Sequence, residues 1–150
     1  MAGDRPAPAI RPLAAIDRAD WDRLWAGYLA FYESALDPAV SQVTWNRLLD
    51  PQFPIHGLVA EDAAGVLGLT HYVLHPATWA IGPYCYLEDL FVDPARRGTG
   101  AGRALIEAVY AAADAAGAAR VYWLTQEGNA TARALYDKVA RYAGFIQYRR

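Results

Sequence analysis

One cysteine and one lysine are all that the 150 residues hold of those two types, and each scarcity closes off a class of protein. With Cys85 alone no intramolecular disulfide can form, so the core has to hold the fold. Its place in the aromatic run Tyr84-Cys85-Tyr86 suits a buried small hydrophobe, and no histidine stands near it in sequence to serve as base for a catalytic thiol. Lys138 is the only lysine, which removes the Gly-Lys-Ser/Thr ending of a nucleoside-triphosphate loop. No apolar run approaches the roughly 20 residues that span a bilayer. Met1 to Pro12 carries prolines and arginines where a signal peptide would carry an apolar core, so the expectation is cytoplasmic. An excess of one charge sign is also missing. Fourteen basic against sixteen acidic residues give a formal charge of -2, no field for nucleic acid and a better match to a cationic substrate. Repeats and low-complexity linkers are absent, and 55% hydrophobic residues exclude a disordered chain, so residues 1–150 read as a single domain.

Glycine is not scarce, and its placement is informative. Arg97-Gly98-Thr99-Gly100-Ala101-Gly102 lies between an apolar strand-like run, Tyr84 to Val92, and an alanine-rich helical run ending near Ala116. Glycines there strip side chains from a turn whose backbone N–H groups converge at a helix start, which makes an anion cradle. Arg97 and Arg103 bracket it with full positive charges, and the helix dipole adds a partial one. A phosphate or diphosphate fits. A dinucleotide fingerprint needs a glycine at its sixth position, where Arg103 or Leu105 stands in the two possible frames. The plainer reading of the same residues is a turn that merely permits close packing. What the segment matches is Arg-x-x-Gly-x-Gly, as Arg97, Gly100 and Gly102. In this it resembles the GNAT superfamily of acyl-CoA-dependent N-acetyltransferases, which implies that Arg97 to Arg103 grip the diphosphate of acetyl-CoA.

The remaining pattern is read as alternating elements. Ile10 to Ala15 is a short opening strand. Asp17 or Asp20 caps a helix whose apolar positions Trp21, Leu24, Trp25, Tyr28, Leu29 and Tyr32 recur at helical spacing. A second helix runs from Pro38 to Leu49 and stops ahead of Asp50-Pro51. His56 to Glu61 and Val66 to His75 form a hairpin through Asp62-Ala63-Ala64-Gly65. Tyr84 to Val92, the helix to Ala116 and Arg120 to Thr125 make a parallel crossover. Asn129 caps a last helix reaching about Tyr142, and Phe145 to Tyr148 is a last short strand. The order is that of the α/β (α+β layered) GNAT fold: a central mixed, mostly antiparallel twisted sheet splayed at its fourth strand, with four helices. The departure is at the end, where the family closes with a hairpin and this chain has residues for one strand. A truncated edge and a strand exchanged with a second copy are both open, and a homodimer is expected.

Acetyl transfer to an amine sets two proton problems, because an alkylamine of pKa about 10.4 is charged at neutral pH and the departing thiolate needs a proton. Asn129, Ala132, Leu135 and Tyr136 resemble the family's Asn-x-x-Ala-x-x-Leu-Tyr element, which implies that Tyr136 is the acid and that Asn129 binds the cofactor arm. A core tyrosine is the alternative. Glu88 falls inside an apolar strand where an unpaired charge is costly. The run Tyr86-Leu87-Glu88-Asp89-Leu90-Phe91-Val92 is similar to the spermidine/spermine and histone/polyamine acetyltransferase branch, which implies Glu88 as base and amine contact. Alternation puts Asp89 on the other face, where pairing with an arginine is expected. The resemblance also implies a bulge that frees the backbone of Leu90, Phe91 and Val92 for the pantetheine arm, and Tyr32 and Glu33 as substrate contacts. Trp21, Trp25, Tyr28 and Trp45 read as core first and as an aromatic cleft for an ammonium second. His71 and His75 stand roughly 13 Å apart along a strand, too far to share a metal, and none is expected.

The activity implied is acetyl-CoA-dependent N-acetylation of a small primary amine, polyamine-like or amino-acid-like, by direct attack. Two other readings stand beside it: a protein-lysine or N-terminal acetyltransferase, and an acyl-CoA-binding module without turnover.

Overall fold

The computed structural model describes residues 6–150; the reading of Met1 to Pro12 falls partly on residues 1–5, which lie outside them. Five strands form one sheet in the order β1 (Ala9–Pro12), β2 (Ile55–Asp62), β3 (Gly65–His75), β4 (Tyr84–Val92) and β5 (Arg120–Tyr122). The first four are antiparallel neighbours, and β5 runs parallel to β4. Helix α3 (Ala101–Ala115) is the crossover between them, and α4 (Ala130–Val139) follows β5. On one face α3 buries Leu105, Ile106, Val109 and Ala113 against Leu67, Tyr72, Cys85 and Leu87. The other face is covered by α1 (Arg18–Phe31) and α2 (Pro38–Leu49), whose Trp21, Leu24, Trp25, Trp45 and Leu48 pack on Val59, Leu69 and Phe91. Trp21, Trp25 and Trp45 are therefore core. Gly27 lets α1 come down on the sheet, since a Cβ there would stand 3.0 Å from the Phe91 ring.

Local chemistry accounts for most boundaries. Asp37 caps α2 by accepting from Ala39 N–H, Pro38 sits in its first turn, and Asp50 is extended ahead of Pro51. Asp17 does not cap α1 with its side chain. Its carboxylate is taken by the Arg11 guanidinium, with both oxygens 2.8 Å from nitrogens, and by Ala14 N–H. Arg11 also reaches Glu61, so one guanidinium ties β1 and the start of α1 to β2. Its charge holds the Asp17 carboxyl below the usual carboxylate range.

The decisive irregularity is in β4. His71 opposes Asp89 while the next residue, Tyr72, opposes Leu87, so Glu88 is an extra residue without a partner: a β-bulge. The bulge flips the alternation. Cys85 and Leu87 face α3, whereas Phe91 faces α1. Pairing of β4 with β5 stops at Tyr86↔Tyr122, two residues short of the bulge, and the two strands part beyond it.

Four endings differ from expectation. The opening strand stops at Pro12 and not Ala15, because Ala15–Asp17 is wound into a 3-10 turn that leads into α1. The last strand stops at Tyr122 and not Thr125, because β4 has swung away and offers nothing to pair with. Helix α4 ends at Val139 and not Tyr142, where the Tyr110 hydroxyl donates to the Val139 carbonyl and Ala140 is extended. Phe145 to Tyr148 is not a strand. None of the five strands pairs with it, and Phe145, Ile146 and Tyr148 are 85%, 73% and 87% exposed. A strand exists through its ladder, and β propensity alone does not make one. Among the described residues no helix is long and apolar enough to cross a membrane.

Candidate active site

The turn that follows β4 is built by backbone demands. Asp93 accepts from Ala95 N–H and Pro94 opens a 3-10 turn, Pro94–Arg96. Gly98 and Gly100 then take φ of +80° and +79°, left-handed values that cost a side-chain-bearing residue about 1–2 kcal/mol. Gly100 is the N-cap of α3, and the first helical bond is Ala104 N–H to Gly100 O at 3.0 Å. The N–H groups of Ala101, Gly102 and Arg103 precede it and are free for an anion. Gly102 serves packing instead, since a Cβ there would stand 3.3 Å from Leu135. The packing reading of the glycine turn thus applies at Gly102, whereas at Gly98 and Gly100 a Cβ would meet nothing and the backbone conformation is what requires glycine. Thr99 supplies an independent sign: its hydroxyl is buried and has no hydrogen-bond partner among the described residues. Arg97 is exposed and has no ion pair among the described residues, whereas Arg103 shares its charge with Glu107 at 2.9 Å.

A cleft of about 400 Å³ joins this turn to the parted strand. It brings together Arg97 to Arg103, Leu90, Phe91 and Val92, Asn129, Ala132 and Tyr136, with Tyr32 from the end of α1. Asn129 also caps α4, accepting from Ala132 N–H at 3.3 Å. Tyr136 lies edge-on to Trp123 with centroids 5.4 Å apart, and burial pushes its hydroxyl up to about 12. Tyr28 and Phe31 complete the lining on the α1 side. The signal for Tyr28 in the sequence is the helical stripe, which also fits core, and Phe31 lies off that stripe.

Glu88 and Glu33 lie outside this lining. Glu88 is exposed at the bulge with no hydrogen bond or ion pair among the described residues; partial loss of water and the nearby Asp89 charge raise its carboxyl above the usual range. Glu33 is exposed just past α1, with φ +52°. Among the described residues no arginine pairs with Asp89, contrary to expectation. Its carboxylate meets the buried His71, Nδ1 to Oδ2 2.9 Å, and His71 Nε2 in turn lies 3.0 Å from Trp21 Nε1. Sequence reasoning missed this because the three residues come from α1, β3 and β4. Burial and the Asp89 charge raise the hydroxyls of Tyr28 and Tyr32. His75 is engaged elsewhere, 2.7 Å from the Tyr122 hydroxyl, and among the described residues no three metal-binding side chains gather.

A model of the Acetyltransferase (GNAT) family matches residues 20–140. The chain belongs to the GNAT acetyltransferases. Among curated relatives, this GNAT chain is 34% identical to the D-amino-acid N-acetyltransferase HPA3 of Saccharomyces cerevisiae over 152 residues, covering all of this chain and 93% of that one. It is 35% identical to the thialysine N-epsilon-acetyltransferase of Caenorhabditis elegans over 88 residues, 57% of this chain and 52% of that one. Among solved structures, the ribosomal-protein-alanine N-acetyltransferase of Brucella melitensis superposes with a TM-score of 0.79 at 20% identity, covering 95% of this chain and 97% of that one. That last likeness establishes the GNAT fold of the chain.

Proposed function

We propose that this GNAT enzyme transfers an acetyl group from acetyl-CoA to the primary amine of a small cationic acceptor, amino-acid-like or polyamine-like, by direct attack. The observation that carries the reading is the single cleft joining a cradle with an orphaned Thr99 hydroxyl to the buried phenol of Tyr136. The donor set suits a diphosphate: left-handed glycines, free helix-start N–H groups and the unpaired Arg97. Arg97, Gly98, Thr99, Gly100, Ala101, Gly102 and Arg103 would hold that part of acetyl-CoA. The backbone of Leu90, Phe91 and Val92, with Asn129 and Ala132, would hold its arm. When bound, acetyl-CoA supplies an activated acyl thioester.

The side chains divide the proton work. Tyr136 keeps its proton at every physiological pH and donates it where a thiolate would otherwise form. Glu88, exposed at the bulge with a raised carboxyl, draws a proton from the acceptor, directly or through water. Tyr32 and Glu33, at the end of α1, face the acceptor with Glu88. Cys85 is fully buried and its thiol is pushed up to about 11, so no thiolate is available to carry the acetyl group. The names of both curated relatives, one for D-amino acids and one for thialysine, favour the amino-acid-like end of the acceptor range.

Calorimetry with acetyl-CoA and an assay of CoA release over D-amino acids, thialysine, polyamines and lysine peptides test this reading. Binding followed by turnover of a small amine is the expected result. Silence toward acetyl-CoA removes the reading, and binding without turnover across the panel replaces it with an acyl-CoA-binding module.

A further inference from the structure

Asp89 presents a charge problem that the proposed chemistry leaves unused. Its side chain is 13% exposed, and among the described residues no arginine or lysine meets it. A carboxylate this deep needs a cation or well-aimed donors. Its donor is His71, 3% exposed and 2.9 Å away through Nδ1. The main chain is pinned as well, since the Thr70 hydroxyl donates to the Asp89 carbonyl at 2.8 Å.

The other side of the imidazole determines its charge. His71 Nε2 lies 3.0 Å from Trp21 Nε1, and an indole nitrogen can only donate. Nε2 therefore presents a lone pair, the single ring proton is on Nδ1, and the ring is neutral. A neutral donor orients Asp89 without cancelling its charge. The groups packed around the pair are aromatic or acidic: α1 contributes Trp21, the Trp25 ring 5.3 Å from the imidazole, and the Tyr28 and Tyr32 hydroxyls near Asp89, while β4 adds the Tyr86 hydroxyl and the acidic Glu88. Among the described residues no arginine or lysine pairs with Asp89. A preorganised negative charge walled by aromatic rings beside the acyl cleft is a receptor for an ammonium group.

We propose that His71 is a positioning residue whose tautomer, locked by Trp21, holds Asp89 as an uncompensated anion, and that the missing counter-ion is the ammonium of the acceptor. This rests on the N-acetyltransferase reading above and adds a residue pair that orders the acceptor before transfer. The lock can be broken at one atom. Replacing Trp21 by Phe removes the only donor that holds Nε2 as a lone pair, so the ring proton is no longer fixed on Nδ1 and Asp89 loses its oriented partner.

Three variants and one spectroscopic measurement test it on the full chain. His71→Leu, checked for folding by circular dichroism and melting, raises KM for the amine about tenfold or more with KM for acetyl-CoA unchanged. His71→Asn keeps an N–H toward Asp89 and brings the amine KM back to within about threefold of the parent. In folded Trp21→Phe the amine KM rises with KM for acetyl-CoA unchanged. Nitrogen-15 NMR of the imidazole shows a neutral ring protonated at Nδ1 at neutral pH. An unchanged amine KM in folded His71→Leu, or a ring protonated at Nε2, overturns the proposal while the parent still acetylates amines. A parent that turns over no amine takes down the wider reading, and the ammonium receptor with it.

Discussion

Tyr136 and Glu88 differ in what surrounds them more than in what they are. Burial disfavours the anion of a phenol, so the Tyr136 hydroxyl, at about 12, is a proton store throughout the working range. Tyr136→Phe keeps the ring against Trp123 and removes only the proton; kcat falls about 100-fold, and calorimetry finds acetyl-CoA affinity unchanged. For Glu88 the same physics has the opposite use. Lost water and the Asp89 charge raise its carboxyl, so its carboxylate is a stronger base than that of an ordinary glutamate. Activity that depends on the carboxylate is present above its raised pKa and is lost as pH falls through it. The acid limb of kcat/KM therefore lies above the ordinary glutamate value of about 4.3. Glu88→Gln lowers kcat/KM and abolishes that limb. A profile for Glu88→Gln that keeps the parental limb assigns the titration to another group and removes Glu88 as base.

At the scale of elements, what could be read from sequence was what is local. Turn chemistry at Asp62–Gly65, the start of α2 at Pro38, the cap at Asn129 and the glycine turn ahead of α3 all depend on residues within a few positions of one another, and all stand where expected. The bulge at Glu88 is a statement about register between β3 and β4, and it decides that Asp89 faces His71 and α1. No pattern inside Tyr84–Val92 contains that information. The same reason explains the expected strand at Phe145 to Tyr148, whose composition suits a ladder that the chain does not supply. The end of α1 was legible as an end but not in its geometry. Ser34 N–H bonds Leu29 O and Glu33 N–H bonds Ala30 O, the paired closure that places one residue in the left-handed region, and here that residue is Glu33. A glutamate there costs about 1 kcal/mol against glycine, which suggests that its charge has a use. Glu33→Gly raises the melting temperature by about 2–4 °C, for roughly 1 kcal/mol gained. The same variant raises the amine KM about threefold through the lost acidic contact. A variant more stable and equally active leaves Glu33 an ordinary helix-end charge.

Across the whole molecule, one turn links the two halves of the architecture. It begins where β4 ends beneath α1 and finishes as the first turn of α3, the helix that covers the opposite face of the sheet. A ligand that fills the cradle therefore restrains both layers and raises global stability by mass action, about 2.7 kcal/mol at a hundredfold excess over Kd. For a domain of this size that corresponds to a rise of roughly 5–10 °C in Tm. Free CoA gives the shift because it carries the diphosphate, and pantetheine, which lacks it, gives little. Gly100→Ala, with φ +79° at that position, lowers the unliganded Tm by a few degrees and removes most of the CoA-dependent rise. Equal shifts from CoA and pantetheine would locate the binding energy in the arm of the cofactor along Leu90 to Val92 and not in the glycine turn. The comparison therefore assigns affinity to one end of the cleft or the other, independently of whether any amine is acetylated.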